Sequence, residues 1–510
     1  MNASRVQASV KSSFRAGRAL IPAVLSICVC ACGSGFPFGH KQSDSGSLQS
    51  SSNPQVRAFY QARQGKAAWD KASEQALIEI INEAPANGLK PDLFLKMPLP
   101  KSSEEREAAL TDAALKYASA LARGVADPAK LYQDYTIPRP NPDLAPGLAD
   151  ALRSGRLKDW YASLPPQSDE YVALSQAHVR FLKLAANGKP SNIPQGKPIK
   201  PGRSDQRIPF VAAALIAEGY LSAAPAQLSQ HYAPALAAAV KQLQSDWGLK
   251  PNGIIDDQTI AILNAGPAGL ARQLAINLER LRWLERNPPS TRIDVNTAAT
   301  FLDYWRDGQH IDHREVVTGE PDKQTPQLQA SMFQLVANPK WRVPDSIAGK
   351  ELATKSPDWL QSNDFVVENG KYVQQSGEKN SLGLVKFDLN DKEQIYLHDT
   401  PAKALFSLPQ RHRSHGCVRV QNALQFAAML ATQDDVADKF EQAMSSGDEG
   451  YVKLRKDIPV RLIYHTAFLN GDRVQFRPDV YGWDDEVAKA LGLVKGPTRE
   501  TQQQSGDIGP

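Results

Sequence analysis

Thr300-Phe-Leu-Asp-Tyr-Trp-Arg306, Asp307-Gly308 and Gln309-His-Ile-Asp-His-Arg-Glu-Val-Val317 divide the chain into two halves of different rhythm. Strand-forming residues lie on both sides of an Asp-Gly pair, and this predicts a β-hairpin closed by a tight turn. Upstream the apolar residues recur at helical spacing. Downstream they gather in short strand-like runs. The hairpin therefore marks the passage from a helical half to a mostly β half.

Immediately upstream, residues 267–292 read as one helix with Leu274, Leu278, Leu281 and Leu284 as an apolar stripe, ended by Pro288-Pro289. It is expected to pack back on the first helical region, which makes the piece between them an insertion. That piece, residues 208–266, has Leu236, Val240 and Leu243 on one helical face. A turn follows at Pro251-Asn252-Gly253, and then a second helix capped by Asp256. Residues 57–207 read as a helical scaffold: Leu77, Ile80, Ile81 and Ala84 recur at three- and four-residue spacing, as do Leu110, Ala114, Tyr117 and Leu121. Asn87-Gly88 has the form of a helix C-cap.

Downstream, Gln394-Ile-Tyr-Leu-His398 and Pro459-Val-Arg-Leu-Ile-Tyr464 read as further strands of a domain spanning residues 293–470. Residues 344–380 show no regular pattern and are expected to form a lid. Residues 471–510 are expected to be a C-terminal tail, loose and polar from about 485. The fold class predicted is multidomain α+β: a helical scaffold with an inserted three-helix module, then a mostly β domain with an inserted lid.

The chain has 510 residues, 42% of them hydrophobic, enough for several cores. Arg5, Lys11, Arg15 and Arg18 precede a short apolar run, so residues 1–31 are expected to be an export signal. Cys32 then stands where a lipoprotein signal has its acylated residue; the alternative is simple cleavage near Ala31 or Gly33. Residues 32–56, rich in Ser and Gly, read as a flexible tether. This places the protein in the periplasm, released or anchored in the membrane as a lipoprotein. The signal holds four of the 59 basic and none of the 55 acidic residues, so the formal +4 belongs to it. The remainder is balanced and excludes nucleic acid as a partner.

Of four cysteines, three lie in or beside the signal and Cys417 stands alone in the body. A single thiol in an exported protein calls for a reason. Its surroundings are Arg413-Ser414-His415-Gly416-Cys417-Val418-Arg419-Val420, with Tyr396-Leu397-His398-Asp399 upstream. A thiol attacks as thiolate, and a neighbouring imidazole can take its proton. His398, His412 and His415 are candidates. His398, at a strand end, can meet the sulfur from a neighbouring element and is the expected base. The backbone N–H groups of His415, Gly416 and Cys417 are the expected oxyanion donors, with Gly416 leaving no side chain in the way.

Ser414-His415-Gly416-Cys417-Val418-Arg419-Val420 with His398 upstream resembles the motif of the YkuD-type L,D-transpeptidases, narrowly their large periplasmic members. Val317-Thr-Gly319, Thr325-Pro326, Asn338-Pro339, Trp341, Asn380-Ser-Leu-Gly383 and Lys386-Phe387 continue the likeness. Residues 208–266 resemble the three-helix peptidoglycan-binding module through Ala239-Val240-Lys-Gln-Leu-Gln244, Asn252-Gly253 and Ile255-Asp256. The resemblance implies that Cys417 attacks the carbonyl between the third and fourth stem-peptide residues, and that a diaminopimelate amine on a second stem resolves the acyl-enzyme into a 3→3 cross-link. It implies that the Asp399 carbonyl orients His398, that His415 supports the site, and that Ser414, Tyr396 and Arg419 face substrate, Arg419 alternatively fixing the loop. It also implies acylation by carbapenems and no cofactor.

Three rivals stand beside this reading. His398, His412, His415 and Cys417 could instead hold zinc, although this spacing is not a usual one. The chain could be a non-catalytic wall-binding adaptor. The acyl-enzyme could pass to water, making a carboxypeptidase, or to a protein amine, anchoring a protein to the wall.

Overall fold

In the computed structural model the hairpin forms as the sequence predicts. Phe301–Arg306 pairs antiparallel with Gln309–Gly319. Asp307 (φ 52°) and Gly308 (φ 82°) both take the left-handed conformation that a two-residue hairpin turn of matching twist demands. The structure describes residue 48 and residues 53–187, 191–222 and 229–494, all within one unit, Ser45–Pro510. The expected signal, Cys32 and most of the tether lie outside the described residues. No helix among the described residues is long and apolar enough to cross a membrane.

The β domain begins with β1 (Arg292–Asn296), β2 (Phe301–Arg306), β3 (Gln309–Gly319) and β4 (Leu328–Ala337). A small second sheet follows, built from β5 (Trp341–Arg342), β6 (Phe365–Glu368) and β7 (Lys371–Gln374) in the order β5-β7-β6. The main sheet resumes with β8 (Val385–Leu389), β9 (Leu397–His398), β10 (His412–Ser414), β11 (Val418–Val420) and β12 (Gly450–Ile463), before a ribbon of β13 (Ala467–Asn470) and β14 (Arg473–Phe476). Its order is β10-β3-β11-β9-β8-β4-β12-β1-β2, and β2 also pairs with β3, so the sheet closes on itself. Inward-facing Val295, Leu302, Met332, Phe387, Leu397, Val418 and Val460 pack with Phe426 and Leu430 of helix Ala423–Gln433 to form its core.

Helical residues picked out by spacing are buried: Leu77, Ile81, Leu110, Ala114, Tyr117 and Leu121 join one scaffold core. The helix expected after the module is present, but it is continuous with the module's last helix. Asp257–Trp283 runs as a single element kinked at Gly266, where the backbone leaves helical geometry ahead of Pro267. Its Leu270, Leu274, Leu278 and Leu281 pack with Val240, Leu243 and Leu263 of the module and Leu174 of helix Asp169–Asn187, while Ile276 and Trp283 enter the scaffold core. Helix Asp169–Asn187, expected within the scaffold, thus shares a core with the module.

Two expectations change. Residues 344–380 are not patternless: they contain β6, β7 and helix Pro357–Ser362, with a small core of Trp341, Ile347, Leu352 and Phe365. Their strands are only four residues long, too short for a period to show. Residues 471–494 are no loose tail, since β14 is followed by helix Asp484–Ala490. Val487, Ala488 and Leu491 of this segment are buried in the scaffold core, and Asp484 accepts a 2.5 Å bond from buried Arg280. Only residues 495–510 of the expected tail lie outside the described residues.

Candidate active site

Strands β9 and β11 run side by side in parallel, with Leu397 opposite Val418 and His398 opposite Arg419, and the Val418 amide donates to the Tyr396 carbonyl at 3.1 Å. Cys417 immediately precedes β11 and so stands next to Tyr396, two residues along β9 from His398 and on the same face. The strand pairing that the sequence could not show is what brings nucleophile candidate and histidine together. Cys417 is 7% exposed and His398 fully buried.

Burial pushes the Cys417 thiol up to about 11; the Tyr396 N–H and hydroxyl, both directed at the sulfur, pull it partway back. The resting sulfur is therefore a thiol at neutral pH, and it needs a base to take its proton before it can attack. The Lys386 ammonium lies 5.1 Å from the centre of the Tyr396 ring, on β8 opposite His398.

The three histidines separate cleanly. His398 Nδ1 is hydrogen-bonded to the Asp399 carbonyl oxygen, which fixes the ring. Asp399 is itself held: its carboxylate accepts from the Leu384 amide at 3.1 Å and pairs with Lys403. Gly383 passes so close that a Cβ there would come within 2.3 Å of the Asp399 carboxylate, so only glycine fits. His412 bonds through Nε2 to the Thr297 carbonyl at 3.0 Å, and burial pushes it down to about 4, leaving it neutral. His415 is engaged through Nε2 by Glu351 of the lid and by Lys323.

The turn carrying Cys417 is clamped from below. Gly416 sits at φ 118°, open to glycine and strained for other residues. The Ser414 hydroxyl donates to the Cys417 carbonyl at 2.6 Å and accepts from the Gly416 amide at 3.2 Å. The Gly416 N–H is therefore occupied, and of the three expected oxyanion donors those of His415 and Cys417 remain. The Thr325 hydroxyl donates to the Gly416 carbonyl at 2.9 Å. Behind it, the Tyr481 hydroxyl donates to the Gly319 carbonyl at 2.8 Å and accepts from the Thr325 amide at 3.2 Å.

Ser414 and Arg419, expected to face substrate, are 0% and 1% exposed. Ser414 spends its hydroxyl inside the turn, and Arg419 lies in β11 between β3 and β9. Both are placed to hold the loop. Tyr396 faces the sulfur, as a residue at the site entrance should, and packs against the lid core. Lys323, Glu351, Thr325, Lys386 and Tyr481 are site residues whose roles no local pattern announces: Lys323 and Glu351 meet His415, Thr325 meets Gly416, Tyr481 backs Thr325, and Lys386 lies over Tyr396. A cavity of about 720 Å³ is lined by Gly383, Asp399, Thr400, Lys403 and Asn422 but not by Cys417, so it lies beside the reacting centre and does not contain it. Among the described residues, the zinc set weighed from sequence does not form a cluster of metal-ligand atoms.

The one cysteine among the described residues thus stands at the head of β11, near a histidine fixed by the Asp399 carbonyl and next to Tyr396, which packs on the small core of residues 341–382. Residues 290–437 match the model of the YkuD family, the L,D-transpeptidase catalytic domain, so the domain is of that kind. Residues 54–177 match a scaffold domain and residues 204–263 a domain described as "Putative peptidoglycan binding domain". A curated protein of Haemophilus influenzae named "Putative L,D-transpeptidase" is 28% identical over 244 residues, 43% of this chain and 50% of that protein. The match thus spans about half the length of the relative. Among solved structures, an L,D-transpeptidase of Stackebrandtia nassauensis is 13% identical, covering 54% of this chain and 97% of that one, at a TM-score of 0.22. One from Mycobacterium smegmatis is 14% identical, covering 34% and 58%, at a TM-score of 0.20. Likeness at this level carries no functional argument.

Proposed function

We propose that this chain is a periplasmic peptidoglycan L,D-transpeptidase that forms 3→3 cross-links through an acyl-enzyme on Cys417. The observation that carries the reading is the register of β9 against β11, which sets the sole described cysteine beside His398 in a domain of the matched family. The Cys417 thiol attacks the carbonyl between the third and fourth residues of a tetrapeptide stem as His398 takes its proton. The amides of Cys417 and His415 receive the oxyanion, and His398 returns the proton to the departing D-alanine amine. A diaminopimelate amine of a second stem then attacks the thioester, loses a proton to His398 and expels the sulfur, which regains that proton. Because the resting thiol is neutral, deprotonation belongs to the attack step rather than preceding it.

Carbapenems fit the same nucleophile. Intact-mass measurement after carbapenem treatment is expected to show one adduct, absent in Cys417→Ala; no adduct on wild type would favour the wall-binding adaptor. Reaction with a purified tetrapeptide dimer, followed by muropeptide analysis, separates a 3→3 product from the tripeptide a carboxypeptidase would leave and from anchoring to a protein amine. Export and lipid attachment at Cys32 complete the reading. Radiolabelled palmitate is expected on wild type and not on Cys32→Ser, and its absence from both would mean cleavage near Ala31 instead.

A further inference from the structure

Toward the turn end of the β2–β3 hairpin, three side chains of metal-ligating type converge on the outer face. Asp303 Oδ1 lies 2.7 Å from His313 Nδ1 and 2.8 Å from His310 Nε2, and the three ligand atoms all lie within 4.8 Å of one another. They are solvent-accessible, with the two histidine side chains 43% and 48% exposed and Asp303 23%.

The backbone goes out of its way to assemble them. His310 and His313 are three residues apart, so in a regular strand they would point to opposite faces. The pairing shifts between Tyr304 and Trp305: Tyr304 is opposite Asp312, but Trp305 is opposite His310, which leaves Ile311 unpaired as a β-bulge. That one extra residue returns His310 to the face of His313 and Asp303, a re-aiming typical of bulges near functional sites. Each ring is also braced by an aromatic neighbour, Phe301 at 5.2 Å from His313 and Trp305 at 5.0 Å from His310, centre to centre. An exposed histidine–carboxylate pair contributes little stability by itself, which leaves the bulge without a reward in the metal-free hairpin.

We propose that Asp303, His310 and His313 bind one divalent transition-metal ion of the zinc class. Two imidazoles and a carboxylate are a usual donor set for such ions, with metal–ligand distances of about 2.0–2.2 Å. The present spacings need only slight spreading to admit one. Solvent completes the coordination, and the ion cross-links β2 to β3 at a distance from Cys417.

The test is calorimetric titration of the purified full chain with zinc sulfate. Expected are one site per chain, at least tenfold weakening in His310→Ala and in His313→Ala, and full retention in Cys417→Ala. Both histidines are exposed, so circular dichroism is expected to show unchanged folding. Deletion of Ile311, which keeps all three ligands but returns His310 to the opposite face, is expected to weaken binding likewise. No binding at micromolar zinc, equal binding in wild type and both histidine variants, or loss of binding in Cys417→Ala would each overturn the assignment.

Discussion

The Thr325 hydroxyl donates a 2.9 Å hydrogen bond to the carbonyl oxygen of Gly416, on the peptide unit whose other end is the amide of Cys417. In a trans peptide the C=O and the following N–H point opposite ways. Anchoring the Gly416 carbonyl to Thr325 therefore turns the Cys417 N–H to the far side, where the proposed mechanism needs an oxyanion donor. Thr325→Val keeps the shape and removes the donor. Leaving the Gly416 carbonyl unmet costs about 1–3 kcal/mol, and loss of an aligned oxyanion donor costs about 2.7–4 kcal/mol of barrier. Carbapenem acylation in stopped flow is expected to slow by up to roughly a hundredfold to a thousandfold, with the thermal transition lowered as well, since the Gly319 amide also loses its acceptor. An unchanged acylation rate would show that Thr325 does not set this amide.

The buried Cys417 thiol gives a pH signature. Its folded value is raised to about 11 from an ordinary 9.0, by burial first. Between those values the unfolded chain has released the proton and the folded chain has kept it, so stability falls as pH rises through that window. Across that window the loss is on the order of a few kcal/mol. Wild type is expected to lose more thermal stability than Cys417→Ala between pH 8 and 10.5, and alkylation of wild type by iodoacetamide is expected to keep accelerating beyond pH 9. An alkylation rate already level at pH 8 would contradict a neutral resting thiol.

What the sequence disclosed follows from how local each signal is. The hairpin was legible because Asp307-Gly308 carries its own backbone demand, and the helical scaffold because Leu77, Ile81, Leu110 and Leu121 repeat within a few residues. The Ser414–Val420 motif and His398 were legible for the same reason, both being short runs. The supports of the turn were not: Thr325 and Glu351 meet the motif across 91 and 64 residues, and Tyr481 meets Thr325 across 156. The resemblance implies substrate contact for Ser414 and, as one of two roles, for Arg419, yet a motif's position along a strand says nothing about which face a side chain takes. The helix Asp484–Ala490 escaped because two turns hold too few apolar positions to show a period.

Glu351 is the point at which the lid meets the motif, through His415 and, at 3.5 Å, through Lys323. This contact holds residues 344–380 down next to Tyr396. Glu351→Gln keeps the size but removes the charge that both partners face. Hydrogen exchange at residues 345–362 is expected to speed up severalfold, with the main sheet unaffected. Equal exchange in both proteins would mean that the small core of Trp341, Leu352 and Phe365 alone holds the lid.

The C-terminal segment offers the sharpest test of how the chain is tied together. Val487, Ala488 and Leu491 fill the scaffold core, Asp484 meets Arg280 of the long helix in a buried pair, and Tyr481 closes the loop under Cys417. Scaffold, linking helix and catalytic turn thus share one short stretch. Removing one partner of a buried ion pair costs about 3–5 kcal/mol, and truncating a buried leucine about 2–5 kcal/mol. A chain ending at residue 494 is expected to melt and acylate like the full protein. Asp484→Ala and Leu491→Ala are each expected to lower the melting temperature by several degrees, and a chain ending at residue 470 is expected to give no cooperative transition and no carbapenem adduct. If that last chain folds and acylates normally, the segment is an accessory and Tyr481 has no part in holding the turn.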